Sequence, residues 1–121
     1  FGLPRYVRFA FYKAVTGIGL TRTEWFKSKA LRILQLQRAM LLLGGPDLKW
    51  NPETHDVNPP RFYEPLPSGP HMGKTTNKSD AEDYKRRYYK AAGWDQNGIP
   101  KSETLEKLGL QDVDKALDRL R

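Results

Sequence analysis

A chain of 121 residues is long enough for one domain with a single modest core, so one domain over residues 1–121 is the starting expectation. Charged residues make up 29% and the mean hydropathy is −0.73, while the longest apolar cluster, Ala39-Met40-Leu41-Leu42-Leu43, falls far short of the roughly 20 residues that span a bilayer. A membrane protein is excluded and a soluble chain expected; with no cysteine there is neither a disulfide framework nor a thiolate for an iron–sulfur cluster.

Pro4 suits a first helical turn, and Arg5 to Val15 carries good helix formers up to a stop at Thr16-Gly17. Tyr6, Val7, Phe9, Ala10, Phe11, Ala14 and Val15 go most of the way round this first helix, which therefore needs protein on several sides. Thr21-Arg22-Thr23-Glu24 fits a capping box and opens a second helix from about Arg22 to Leu43, ended by Gly44-Gly45-Pro46. Its apolar face is expected to run through Trp25, Phe26, Leu31, Ile33, Leu34, Leu36, Met40, Leu41 and Leu43. Lys27, Lys29, Arg32, Gln35 and Arg38 are expected on the opposite side.

Residues 45–76 hold seven of the nine prolines, which predicts a long extended loop. Trp50, Phe62, Tyr63 and Leu66 argue that it is draped over a neighbouring surface and not disordered. Ser79-Asp80-Ala81-Glu82 has the pattern of a second capping box, opening a third helix from about Asp80 to Ala92 with Gly93 as its stop. Tyr84, Tyr88 and Ala91 or Ala92 recur at helical spacing and are expected to form its buried edge. Asp95-Gln96-Asn97-Gly98 has turn chemistry, Ser102 to Leu108 makes a short fourth helix, and Asp112 to Leu120 a fifth. The fold class is all-α and multihelical, with the proline-rich loop between helices two and three.

The net charge of +7 sits in the first third, where eight basic residues of 1–44 face one acid, Glu24. Such a stripe suits an acidic partner, a nucleic acid or an anionic surface, or is simply a solvated helix face. Arg5-Tyr6-Val7-Arg8-Phe9 and Tyr84-Lys85-Arg86-Arg87-Tyr88-Tyr89-Lys90 interleave cations with aromatics, but an amphipathic helix explains both, and no nucleic-acid partner is expected. Glu53-Thr54-His55-Asp56 alone has metal-ligand residue types, and its loop setting favours a polar turn over a metal site. His71 is isolated. Gly17-Ile18-Gly19 lacks the strand a dinucleotide fingerprint requires, and no phosphate loop, carboxylate pair or nucleophile triad is visible. No catalytic or metal-ligating residue is assigned.

The run Ala91-Ala92-Gly93-Trp94-Asp95-Gln96-Asn97-Gly98-Ile99-Pro100, followed by Leu105-Glu106-Lys107-Leu108-Gly109-Leu110, resembles the closing signature of the aldehyde ferredoxin oxidoreductase family. Upstream, Thr16-Gly17 through Thr23-Glu24-Trp25, then Pro60-Arg61-Phe62, Glu64 to Pro70 and Gly73-Lys74, are similar to that family in the same order. The resemblance covers residues 16 to 110. It implies the last helical domain of a parent enzyme carrying a tungsten bis-pterin and one [4Fe-4S] cluster. That parent would be cytoplasmic and would oxidise aldehydes to carboxylic acids, with ferredoxin or an electron-transfer subunit as acceptor. Starting at Phe1 and not Met, the chain is expected to be a C-terminal piece, catalytically incompetent alone, whose first partner is the remainder of its parent.

The resemblance carries over no ligand or catalytic residue, because none of the family's has a matching position here. Departures between Leu41 and Asn58 leave open a benzoyl-CoA reductase-type parent within the family. Beyond the family, a non-catalytic helical interaction module and a nucleic-acid binder are the competing classes. A docking role for Arg5, Arg8 and Arg22 follows from charge alone; oligomeric state, the homo-oligomer included, is open.

Overall fold

Helices carry the chain in the computed structural model, which describes residues 5–44 and 49–121. Helix α1 is Arg5–Thr16, ended by the Gly17 amide donating to the Lys13 carbonyl. The next helical rod runs as α2, Arg22–Glu24, then a π turn, Trp25–Lys29, then α3, Ala30–Leu43. Its start carries the expected capping box: the Glu24 amide donates to Thr21 Oγ1 at 3.1 Å, and the Thr21 amide donates to the Glu24 carboxylate at 2.7 Å. Those bonds from Thr21, backbone first, hold the Glu24 carboxyl below its ordinary range. In the π turn the Ala30 amide donates to the Trp25 carbonyl, one residue further back than in an α-helix. Gly44 ends α3 at φ 76°. Pro4 and the Gly45-Pro46 pair, also assigned to helix ends, lie outside the described residues.

The proline-rich segment is less extended than anticipated. Asn51 caps a short helix α4, Pro52–His55, and Pro60–Tyr63 forms a 3₁₀ turn. In each case proline occupies the first turn, where its missing N–H has no intrahelical partner to lose, so proline starts these turns as readily as it forbids longer ones. Further on, Leu66 and Lys74 bring the chain back on itself, and Thr75 Oγ1 donates to the Tyr63 carbonyl at 2.6 Å.

Helix α5 is Lys78–Ala92. Its cap is Asn77 and not Ser79, because the Asn77 side-chain oxygen already accepts from the Ser79 amide at 2.9 Å and starts the helix earlier. Gly93 closes it in the left-handed conformation, φ 76° and ψ 30°, as anticipated. Helix α6 is Ser102–Lys107 and α7 is Gln111–Leu117, followed by a 3₁₀ turn, Asp118–Leu120. Among the described residues one isolated β-bridge, Trp94 with Pro100, pinches the intervening turn, and no strand occurs.

Ala39 and Leu42 of α3 meet Ile99, Leu105, Leu110 and Leu117 in the main core, flanked by Trp50. Tyr89, Ala92 and Trp94 form a second cluster against Leu34. Two expected faces hold only in part: Leu34 and Leu43 of the long helical rod and Ala92 of α5 pack inward as anticipated, and Lys27 and Lys29 are exposed, but other members change sides. On α3 the inward stripe is Gln35, Arg38, Ala39 and Leu42, while Ile33, Leu36, Met40 and Leu41 face outward. On α5, Tyr84 and Tyr88 are exposed, and the buried residues are Tyr89 and Ala92. Each departure has one cause: the inward polar atoms find hydrogen-bond partners, which makes their burial cheaper than their residue type suggests.

Candidate functional site

Arg38 is 5% exposed, and every arm of its guanidinium is used. Nε donates to the Gly98 carbonyl at 2.8 Å, Nη1 donates to Asp56 Oδ1 at 3.0 Å, and Nη2 donates to Asp56 Oδ2. Its Cζ lies 4.5 Å from the centre of the Trp94 ring. Asp56 also accepts from Trp50 Nε1 at 2.6 Å and from the Tyr89 hydroxyl. The Arg38–Asp56 pair thus joins α3, the chain on either side of α4, α5 and, through Arg38, the Trp94–Pro100 turn. Burial opposes the charge of Asp56, but the bonds from Arg38, Tyr89 and Trp50 outweigh it and hold the carboxyl below its ordinary range. Burial, then the Asp56 carboxylate, pushes the Tyr89 phenol well up, so it stays a donor.

Gln35, wholly buried, extends the network along α3. Its Nε2 donates to the Ala92 carbonyl at 2.7 Å, and its Oε1 accepts from Trp94 Nε1 at 2.8 Å. Gly98 completes the arrangement. It sits at φ 73°, and a Cβ there would lie 2.4 Å from Arg38 Nη2 and 2.8 Å from Tyr89 Cζ. The network leaves no buried side-chain polar atom unsatisfied among the described residues. It is a clamp: the acid and the base neutralise each other, and no group is held ready to attack or to exchange a proton.

The clamp floors an open groove of about 760 Å³ walled by Phe62, Tyr63, Tyr84 and Tyr88. A second cleft, about 520 Å³, lies between α1 and the π turn and is lined by Arg8, Phe9, Tyr12, Arg22, Trp25 and Phe26. Of the residues singled out in the sequence, Glu53, His55 and Asp56 do not converge on one point. Asp56 turns inward to Arg38, His55 Nδ1 accepts from the Asn51 amide at 2.8 Å, and Glu53 is exposed. His71 is exposed. Arg8 and Arg22, chosen by charge alone, come together on the second cleft. The roles of Gln35, Arg38 and Tyr89 were missed, although 35, 38, 39 and 42 share a helical face in the sequence, whereas Gly98 sits at positive φ as its turn chemistry required.

The family description "Aldehyde ferredoxin oxidoreductase, domains 2 & 3" matches residues 5–110. The chain belongs to the aldehyde ferredoxin oxidoreductase family. Among relatives, it is 47% identical over 92% of its length to the "Aliphatic sulfonate oxidoreductase, WOR-like subunit" of Pyrococcus furiosus, of which it covers 18%. It is 35% identical over 74% of its length to the "Tungsten-containing aldehyde ferredoxin oxidoreductase" of the same organism, covering 14% of that protein. The protein of that name from Pyrococcus horikoshii is 35% identical over 67% of the chain, with 12% of its own length covered. The chain therefore spans less than a fifth of the length of the curated relatives it matches.

Family membership gives the clamp its meaning. Trp94, Gly98, Ile99 and Pro100, the heart of the closing signature, are buried at the centre of the fold. Their conformation is what Arg38 and Gln35 hold. The residues here do not fit as ligands of the metal groups associated with this family: there is no cysteine, and no cluster of three or more His, Asp or Glu exists among the described residues. The acid with the most bonds, Asp56, has its oxygens occupied by Arg38, Trp50 and Tyr89.

Proposed function

We propose that these residues are the C-terminal helical portion of a cytoplasmic tungsten-pterin, iron–sulfur oxidoreductase that oxidises aldehydes to carboxylic acids, with ferredoxin as electron acceptor. The observation that supports this most is the family match over residues 5–110, joined by relatives named as tungsten-containing aldehyde ferredoxin oxidoreductases. Among the described residues, no helix is long and apolar enough to cross a membrane. The overall reaction converts an aldehyde and water to a carboxylic acid, releasing two electrons and two protons. Tungsten and the cluster supply the redox chemistry, held by polypeptide outside these residues.

In that enzyme this portion contributes a rigid helical body, because the clamp ties four segments of its chain to one ion pair. A second reading concerns the substrate alone. The 47% identity to the aliphatic sulfonate oxidoreductase subunit exceeds that to the aldehyde enzymes and favours an aliphatic sulfonate in place of a simple aldehyde.

Production of the full-length protein without oxygen, in medium containing tungstate, tests both. Aldehyde-dependent reduction of a viologen dye by the tungsten-loaded protein is the expected result. Dye reduction only with aliphatic sulfonates would replace the substrate assignment, and reduction with neither would overturn the proposal.

A further inference from the structure

The cleft between α1 and the π turn has an unusual lining. Arg8, Phe9 and Tyr12 come from α1; Arg22, Trp25 and Phe26 come from the start of the next helical rod. Phe9 and Tyr12 meet the Trp25 ring edge to face, with centroids 6.5 and 6.3 Å away, and the Arg22 guanidinium lies 5.7 Å from the Phe26 ring centre. Two cations on aromatic walls match the composition of protein-binding hot spots, where Arg, Trp and Tyr are enriched and Lys, Asp and Glu depleted. The π turn helps build it, because the residue that opens the turn, Trp25, carries the ring both α1 aromatics contact.

Charge selects the occupant. Residues 1–44 hold eight basic side chains and one acid, and that acid, Glu24, is bound to the Thr21 amide and hydroxyl. Among the described residues, neither Arg8 nor Arg22 has an ion pair. Apolar Phe11, 61% exposed, and Val15, 82% exposed, continue the surface along α1, beyond what a small anion would cover.

We propose that this cleft docks an acidic segment of a protein partner, one that places an aromatic or aliphatic side chain between the rings and its carboxylates on Arg8 and Arg22. The inference goes beyond the oxidoreductase reading and does not depend on turnover. Its test is a binding measurement on the full-length protein, using a fluorescein-labelled peptide of alternating aspartate and phenylalanine. Anisotropy should report binding that weakens steeply as salt rises. Arg8→Glu and Arg22→Glu should each weaken it at least tenfold, while Lys13→Glu, on α1 but outside the cleft lining, should change it less than threefold. Unchanged affinity in both arginine variants would overturn the proposal. So would tighter binding of a labelled single-stranded DNA or of anionic vesicles than of the peptide. Hydroxyl-radical footprinting that found Trp25 and Phe26 already covered in the full-length protein would overturn it as well.

Discussion

Replacing Asp56 with asparagine would leave the Arg38 guanidinium buried without its counter-charge, since the two side chains are only 6% and 14% exposed. Losing one partner of such a pair costs about 3 to 5 kcal/mol. Hydrogen exchange of the α3 and α5 amides in the intact protein should register that loss as faster opening. The pH dependence has a definite sign. The Asp56 carboxyl is held below its ordinary range, so its stabilising effect is complete above the unfolded value of about 3.9 and lost as pH falls through the lower folded value. Wild-type amides should therefore lose protection on acidification, and Asp56→Asn should make that dependence shallower. Gly98→Ala tests the same place from the backbone side. Its Cβ would press on Arg38 and Tyr89 at a positive φ, whereas Gly69→Ala, also at positive φ, would meet nothing within 4 Å. The Gly69 change should cost about 1 kcal/mol and the Gly98 change at least twice that, read by the same exchange measurement.

Elements with local signals were legible in the sequence. The Thr21-Glu24 box, the Gly93 stop and the two terminal helices required only neighbouring residues to specify them, and each lies within a few residues of its assigned place. What was not legible depended on distant partners. Gln35 and Arg38 look like solvent-facing residues until the Ala92 and Gly98 carbonyls arrive from more than fifty residues away to receive them. Tyr89 lost to Tyr84 and Tyr88 by spacing alone, because Lys85, half-buried on the stripe that Tyr89 continues, disguised it. The turn at Asp95-Gln96-Asn97-Gly98 was legible, and the Gly98 amide does donate back to the Asp95 carbonyl at 3.1 Å; which side chains hold it was not. Leu105 of α6 sits at 0% exposure in the main core, where α3, α6 and α7 meet. Leu105→Ala should cost about 2 to 5 kcal/mol and loosen α6 and α7 together, visible as lost exchange protection in both. Loss confined to α6 would show that the two helices do not share one core.

On the scale of the whole molecule, the polar clamp is closed while much of the apolar surface is open. Met40 is 71% exposed and Ile33 47%, on the side of α3 away from Gln35 and Arg38. Exposed apolar groups on one side of a long rod mark a contact surface. That surface accords with a chain spanning 18% of a relative to which it is 47% identical. The central proposal is that these helices belong to a tungsten oxidoreductase whose metal ligands lie elsewhere in its polypeptide. Elemental analysis of the native protein bearing this sequence, purified without oxygen and sized in the same run, tests it most directly. The account predicts tungsten co-eluting with a polypeptide several times larger than 14.0 kDa. A tungsten-free protein of that larger size, or a metal-free species at the mass of these residues alone, would contradict it.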